Sequence, residues 1–227
     1  MAPELRGLLT RSLAARVAAA LAAGGVAVLP TDTIYGFHCA ASSAGAVKRI
    51  RALKRRASRS GFVLLAADAA MAERIVARWP GGARAILARI WPGPLTALLP
   101  ARKGVPPALA PRGVVAVRVP GRADLRALVA AVGEPLVSTS VNVSGGRPLA
   151  RIADIERSFP GLDAYVSKRG RTSRIPSTIV DFTGDAPALV RSGAIRWREG
   201  VFGGLRAPRR REGSGGQSGN PSKRRSR

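Results

Sequence analysis

Cysteine and histidine are almost missing from this chain of 227 residues, where Cys39 and His38 occur once each. An intrachain disulfide is therefore impossible and a Cys/His zinc cluster is excluded. A Ser-His-Asp hydrolase would rest on His38 alone, and no nucleophile elbow accompanies it. Aromatic residues make up 4%, too few for a single-strand binder built on stacking platforms. Acidic residues number 13 and are spread along the chain, so a dense carboxylate cluster holding two metals is not expected, and no metal ligands are assigned. No apolar run approaches the roughly 18 residues that cross a bilayer. The N-terminus carries Glu4 and Arg6 without the apolar core of a signal peptide. A soluble, cytoplasmic protein with no membrane partner is the expectation. Neither a G-x-x-x-x-G-K-[ST] loop nor a G-x-G-x-x-G fingerprint occurs, so any nucleotide must be held by Arg, Lys, hydroxyl groups and backbone.

What the chain does have is positive charge and apolar bulk. The formal net charge is +25 and hydrophobic residues make up 46%. From Arg206 onward eight Lys and Arg stand against Glu212 alone, so most of the excess lies upstream, in the part that can fold. A field of that sign concentrates phosphates and polyanions. For any single arginine, a solvated surface position is an equally good reading.

Apolar spacing predicts a helix through Leu5, Leu8, Leu9, Leu13, Val17 and Leu21, capped by Gly24-Gly25. Val26 to Leu29 reads as a buried strand stopped by Pro30. A helix follows through Val47, Ile50 and Leu53, then a strand Phe62 to Leu65 and a helix through Met71, Ile75 and Trp79. Strands are predicted at 95–99, 114–119, 135–140, 177–182 and 188–191, with a helix through Leu125, Leu128, Val129 and Val132. Strands interleaved with helices give an α/β domain on a mixed sheet over 1–202. Residues 203–227, Gly/Ser-rich between two basic runs, read as a disordered basic tail.

Four segments could carry chemistry. Pro30 to Gly36 hands a strand over to hydroxyls, a carboxylate and a glycine, although threonines in a turn are commonly caps. Lys54-Arg55-Arg56 with Arg59 and Ser60 gathers four cations that repel unless an anion sits among them; a triphosphate suits them, a solvated basic face competes. Ser138 to Gly146 offers hydroxyls, an amide and free N–H groups, as an anion nest or an ordinary turn. Pro176 to Asp181 and Arg191-Ser192-Gly193 could bring a serine and an arginine together from adjacent strands, with Arg118 as a further cation.

In order, PTDTIYGF (30–37), LKRR (53–56), WPGPLTALLPA (91–101), VAVRVP (115–120), STSVNVSG (138–145), PSTIVD (176–181) and LVRSGAI (189–195) resemble the YrdC-like family, the threonylcarbamoyl-adenylate synthases, in their short single-domain form. The resemblance implies a twisted mixed sheet with flanking helices around a basic concave cavity. It implies that L-threonine, bicarbonate and ATP give threonylcarbamoyl-AMP and pyrophosphate, with Mg2+ on the ATP phosphates. A separate tRNA-modifying transferase complex would then use the product. Thr33, Arg118, Ser140 and Ser177 match threonine-binding positions. Arg56, Ser60, Asn142 and Arg191 match ATP-binding positions, and Lys54 with Arg56 match the catalytic basic pair. Departures stand at Ala57, Ser60-Gly61-Phe62, Leu65, Val114 and Ala150. The competing readings are a related carbamoyl-transfer enzyme and a non-catalytic module that binds double-stranded RNA or the ribosome.

Overall fold

In the computed structural model, the residues described are 4–6, 11–55, 61–80, 82–167 and 175–197. Among them one mixed ten-stranded sheet forms, in the order β1-β8-β2-β3-β7-β4-β6-β5-β9-β10. The strands are β1 (Glu4–Arg6), β2 (Ala27–Pro30), β3 (Tyr35–Ala40), β4 (Val63–Leu65), β5 (Leu95–Pro100), β6 (Val114–Arg118), β7 (Leu136–Ser140), β8 (Ala164–Ser167), β9 (Thr178–Asp181) and β10 (Ala188–Arg191). The helices are α1 (Arg11–Ala22), α2 (Ala44–Leu53), α3 (Ala69–Glu73), α4 (Ala83–Ala88), α5 (Ala123–Val132) and α6 (Ile152–Ser158). The expected α/β class and mixed sheet are what the chain adopts. No helix among the described residues is long and apolar enough to cross a membrane.

Leu13, Val17 and Leu21 form the buried stripe of α1, which packs against Leu125, Leu128 and Val129 of α5 and over β2 and β3. Each such side chain taken fully out of water contributes about 1.5–3 kcal/mol. The helix ends as its glycines predict: Gly24 has φ 83°, and the Gly25 N–H reaches Ala20 O at 2.9 Å.

Three predictions need correcting. The first helix does not begin at Leu5, which pairs with Val166 in the parallel β1–β8 ladder; Leu8 and Leu9 lie outside the described residues. Strand β2 ends at Pro30, which is its last residue opposite Tyr35, but it begins at Ala27 and not at Val26, whose N–H goes to Asp163 Oδ2 at 2.8 Å. The helix through Met71 breaks after Glu73, before Ile75 and Trp79. Backbone bonds from Ala77 N to Pro100 O and from Arg102 N to Ile75 O pull that segment onto the end of β5. A tertiary partner outweighs local periodicity in each case. The proposed tail, 203–227, lies outside the described residues.

Candidate functional site: an arginine- and hydroxyl-lined cavity

The site follows from the two-residue period of the strands. In β6, Val115 and Val117 are fully buried in the core, while Val114, Ala116 and Arg118 face the other way. Strand register sets Leu65 beside Arg118 and Val63 beside Ala116, then Ser138 beside Val63. On the other side Leu98 lies beside Ala116, Asp181 beside Leu98, and Arg191 beside Ile179. These residues border one cavity of about 710 Å³, which Thr33, Ser140 and Ser177 also line.

Arg118 anchors one end. It is 4% exposed, and its Nε donates to Gly93 O at 3.0 Å while one terminal nitrogen donates to Thr33 Oγ1 at 3.1 Å. The other terminal nitrogen lies 2.5 Å from Asp32 Oδ1, and Asp32 Oδ2 accepts the Gly121 N–H at 3.0 Å. Burial pushes the Arg118 pKa down, and the Asp32 carboxylate opposes that shift. Thr33 is held by a hydroxyl turn: Thr31 Oγ1 accepts from the N–H of Thr33 at 3.0 Å and of Ile34 at 3.1 Å.

Ser177 and Arg191 converge as their adjacent strands predicted. Arg191 donates to Ser177 O at 3.2 and 2.8 Å and to Ser177 Oγ at 3.2 Å. Ser177 Oγ also lies 2.9 Å from Thr96 Oγ1. The Arg191 pKa is lowered by burial and then by the charge of Arg118. Two guanidinium groups that disfavour one another across a cavity make a site that an anion stabilises.

Lys54 and Asn142 meet elsewhere. Lys54 is 2% exposed, and its ammonium donates to Ser140 O at 2.6 Å and to Asn142 O and Oδ1 at 3.0 Å each. Asn142 Oδ1 also accepts from Ser140 Oγ at 2.5 Å. Its amide nitrogen donates to Val143 O at 2.7 Å and Gly146 O at 2.8 Å. Both side chains thus brace the turn that carries Ser140. Arg56 and Ser60 lie outside the described residues, as does Ala57. The departures Leu65 and Val114 are cavity-lining residues.

Sequence reasoning placed Asp32 and Ser138 inside candidate segments without giving either a role, and missed Thr96 and Arg112. Asp32 sits inside PTDTIYGF, and Thr96 is the one hydroxyl in the apolar run Leu95 to Leu99, a polar interruption that marked it. Ser138 Oγ lies 3.1 Å from Nε2 of fully buried His38. Arg112 lines the cavity from a tight turn in which its φ is 57°.

A family model, Sua5_yciO_yrdC, described as "Telomere recombination", matches residues 19–193. The chain is 39% identical over 161 residues to threonylcarbamoyl-AMP synthase of Chromobacterium violaceum, covering 70% of this chain and 82% of that protein. It is 38% identical over 175 residues to the Halorhodospira halophila protein of the same name, covering 76% and 92%. Among solved structures, P. abyssi Sua5 complexed with L-threonine aligns with a TM-score of 0.78 at 27% identity. That alignment covers 85% of this chain and 57% of the longer archaeal one. E. coli YciO also aligns with a TM-score of 0.78, at 25% identity, over 86% of this chain and 98% of its own.

Proposed function

The chain belongs to the Sua5–YciO–YrdC family, and from that premise we propose that it is an L-threonylcarbamoyladenylate synthase. L-threonine, bicarbonate and ATP become threonylcarbamoyl-AMP and pyrophosphate, for N6-threonylcarbamoyladenosine modification of tRNA by a separate transferase complex. The observation that carries this reading is the convergence of Thr33, Arg118, Ser177 and Arg191 on one cavity that has room for an amino acid beside a nucleotide. The relatives that bear this activity in their names support it, as does the threonine complex of the archaeal Sua5.

The Arg118 guanidinium, oriented by Asp32, pairs with the threonine carboxylate, while the hydroxyls of Thr33, Ser140 and Ser177 complete the pocket. The threonine amine attacks the carbon of bicarbonate-derived carbon dioxide, and its proton passes to solvent. A carbamate oxygen then attacks the α-phosphorus of ATP, the bond to the bridging oxygen breaks, and pyrophosphate leaves. Arg191, Asn142, Arg56 and Ser60 serve the nucleotide. Arg191 hangs on Ser177 and so stands at the junction of the two substrates. Lys54 and Arg56 stabilise charge developing at the phosphates, Lys54 from the buried side of the Ser140–Asn142 turn. The apolar floor of Val63, Leu98 and Ala116 suits the nucleoside. Mg2+ would arrive on the ATP phosphates, which supply most of its oxygen ligands. Holding three reactants in one cavity supplies much of the acceleration.

The test incubates the protein with ATP, bicarbonate and threonine and measures pyrophosphate and the adenylate. Threonine-dependent pyrophosphate is expected; its absence from a folded sample overturns the reading. Arg56→Ala should lose at least about a hundredfold in turnover. Direct contact with RNA in the cytoplasm is a second reading, favoured by the net charge of +25.

A further inference from the structure

We propose that Lys54 is a positioning residue, which sets the Ser140–Val143 turn for the nucleotide and does not itself touch the phosphates. The proposal rests on the adenylate-forming reaction argued above. An ammonium has three N–H bonds. Those of Lys54 are shared among Ser140 O at 2.6 Å, Asn142 O at 3.0 Å and Asn142 Oδ1 at 3.0 Å, with Ser140 Oγ further off at 3.5 Å. The group is 2% exposed and is not among the residues lining the cavity, whereas Ser140, which it holds, is. To reach a phosphate, Nζ would have to release at least one of these acceptors, at the cost of a charge-assisted hydrogen bond.

The backbone locks the same joint from the other side. Ser144 N donates to Lys54 O at 2.8 Å, so the end of α2 and the turn after β7 grip one another at two points. A trans peptide sets its C=O and N–H in opposite directions. Fixing Asn142 O on the ammonium therefore aims the Val143 N–H away from Lys54, and that N–H has no acceptor among the described residues. Fixing Ser140 O likewise orients the Val141 N–H, which bonds Tyr35 O at 3.3 Å and ties the turn to β3. The positive charge thus acts by polarising and orienting the peptides of the turn: the one at Val141 holds it to β3, and the one at Val143 keeps an N–H for an anion.

A double-mutant cycle in kcat/KM for ATP separates the two roles. If Lys54 acts through Asn142, Lys54→Met and Asn142→Ala each lose about a hundredfold, and the double variant stays within about threefold of the worse single one. Losses that multiply, to about ten-thousandfold, mean independent contacts and overturn the proposal. Lys54→Arg gives a second reading, because a guanidinium carries the same charge but cannot fit three converging carbonyls. It should be as poor as Lys54→Met. An Arg variant that recovers most of the wild-type rate overturns the proposal. Should Lys54→Met fail to fold, Lys54→Gln replaces it in the cycle, since it keeps two donors without the charge. A wild-type protein that releases no threonine-dependent pyrophosphate would instead sink the proposed function itself.

Discussion

At the scale of single residues, the cavity is held by partners that do not themselves face it. Asp32 is the clearest case: one oxygen lies 2.5 Å from Arg118 and the other accepts the Gly121 N–H at 3.0 Å. Asp32→Asn keeps the volume but removes the charge and leaves one acceptor oxygen for two donors, so Arg118, still tethered to Gly93 O and Thr33, competes with the Gly121 N–H for it. Threonine KM should rise about tenfold with kcat changed less than about threefold, as initial rates at saturating ATP will read. An unchanged KM would remove Asp32 from the site. His38 makes a different prediction. Burial lowers its pKa from 6.5 to about 4, with the Gly36 backbone partly opposing the shift. Between those values the unfolded chain takes up a proton that the folded one refuses. Stability therefore falls as pH drops from 6.5 towards 4, by about 3 kcal/mol at most. Urea midpoints at pH 7 and 4.5 should diverge more for the wild type than for His38→Gln; equal divergence contradicts the assignment.

At the scale of elements, what was legible follows from where the apolar residues lie. The strands Leu95–Pro100, Val114–Arg118 and Leu136–Ser140 announce themselves because alternation or an apolar run survives in them. Strand Tyr35–Ala40 does not, because it is buried on both faces between β2 and β7 and carries Gly36 and His38 in its run. Apart from Ser177 and Arg191, whose neighbouring strands brought them together in advance, the site residues could be read as a set of types but not as contacts. Arg118 meets Thr33 across 85 residues, and Lys54 meets Asn142 across 88, distances over which only the sheet order decides who touches whom. The same is true of the close backbone approach at Gly193. A Cβ there would meet Pro176 O at 2.4 Å, Ser177 C at 2.5 Å and Thr178 N at 2.5 Å. Only a hydrogen fits where the exit of β10 crosses the start of β9, and backbone cannot rotate aside as a side chain would. Gly193→Ala should cost about 2–4 kcal/mol in urea unfolding and raise threonine KM by displacing Ser177. A variant with wild-type stability would mean that the two strands can part without cost.

At the scale of the whole molecule, charge divides into two populations with separate duties. Arg118 and Arg191 both line the cavity, the first buried and the second more exposed, so an anion bound between them is screened less by salt than one on the open surface. The eight Lys and Arg from Arg206 onward stand against Glu212 alone in a stretch with almost no apolar residues. If that segment serves RNA, its contribution must appear as counterion release, with log K falling by about 0.9 per phosphate neutralised as log salt rises. Removing residues 203–227 should flatten that slope by up to about 7 for duplex RNA, a value reached only if every tail cation meets a phosphate. Threonine-dependent pyrophosphate release by the same truncated protein should stay within about twofold of the full chain, because each described cavity residue lies upstream of it. Binding titrations at four salt concentrations, paired with the pyrophosphate assay, read both quantities from one preparation. An unchanged slope would move RNA contact to arginines upstream of residue 203, and a folded but inactive truncation would make residues 203–227 part of the catalytic machinery.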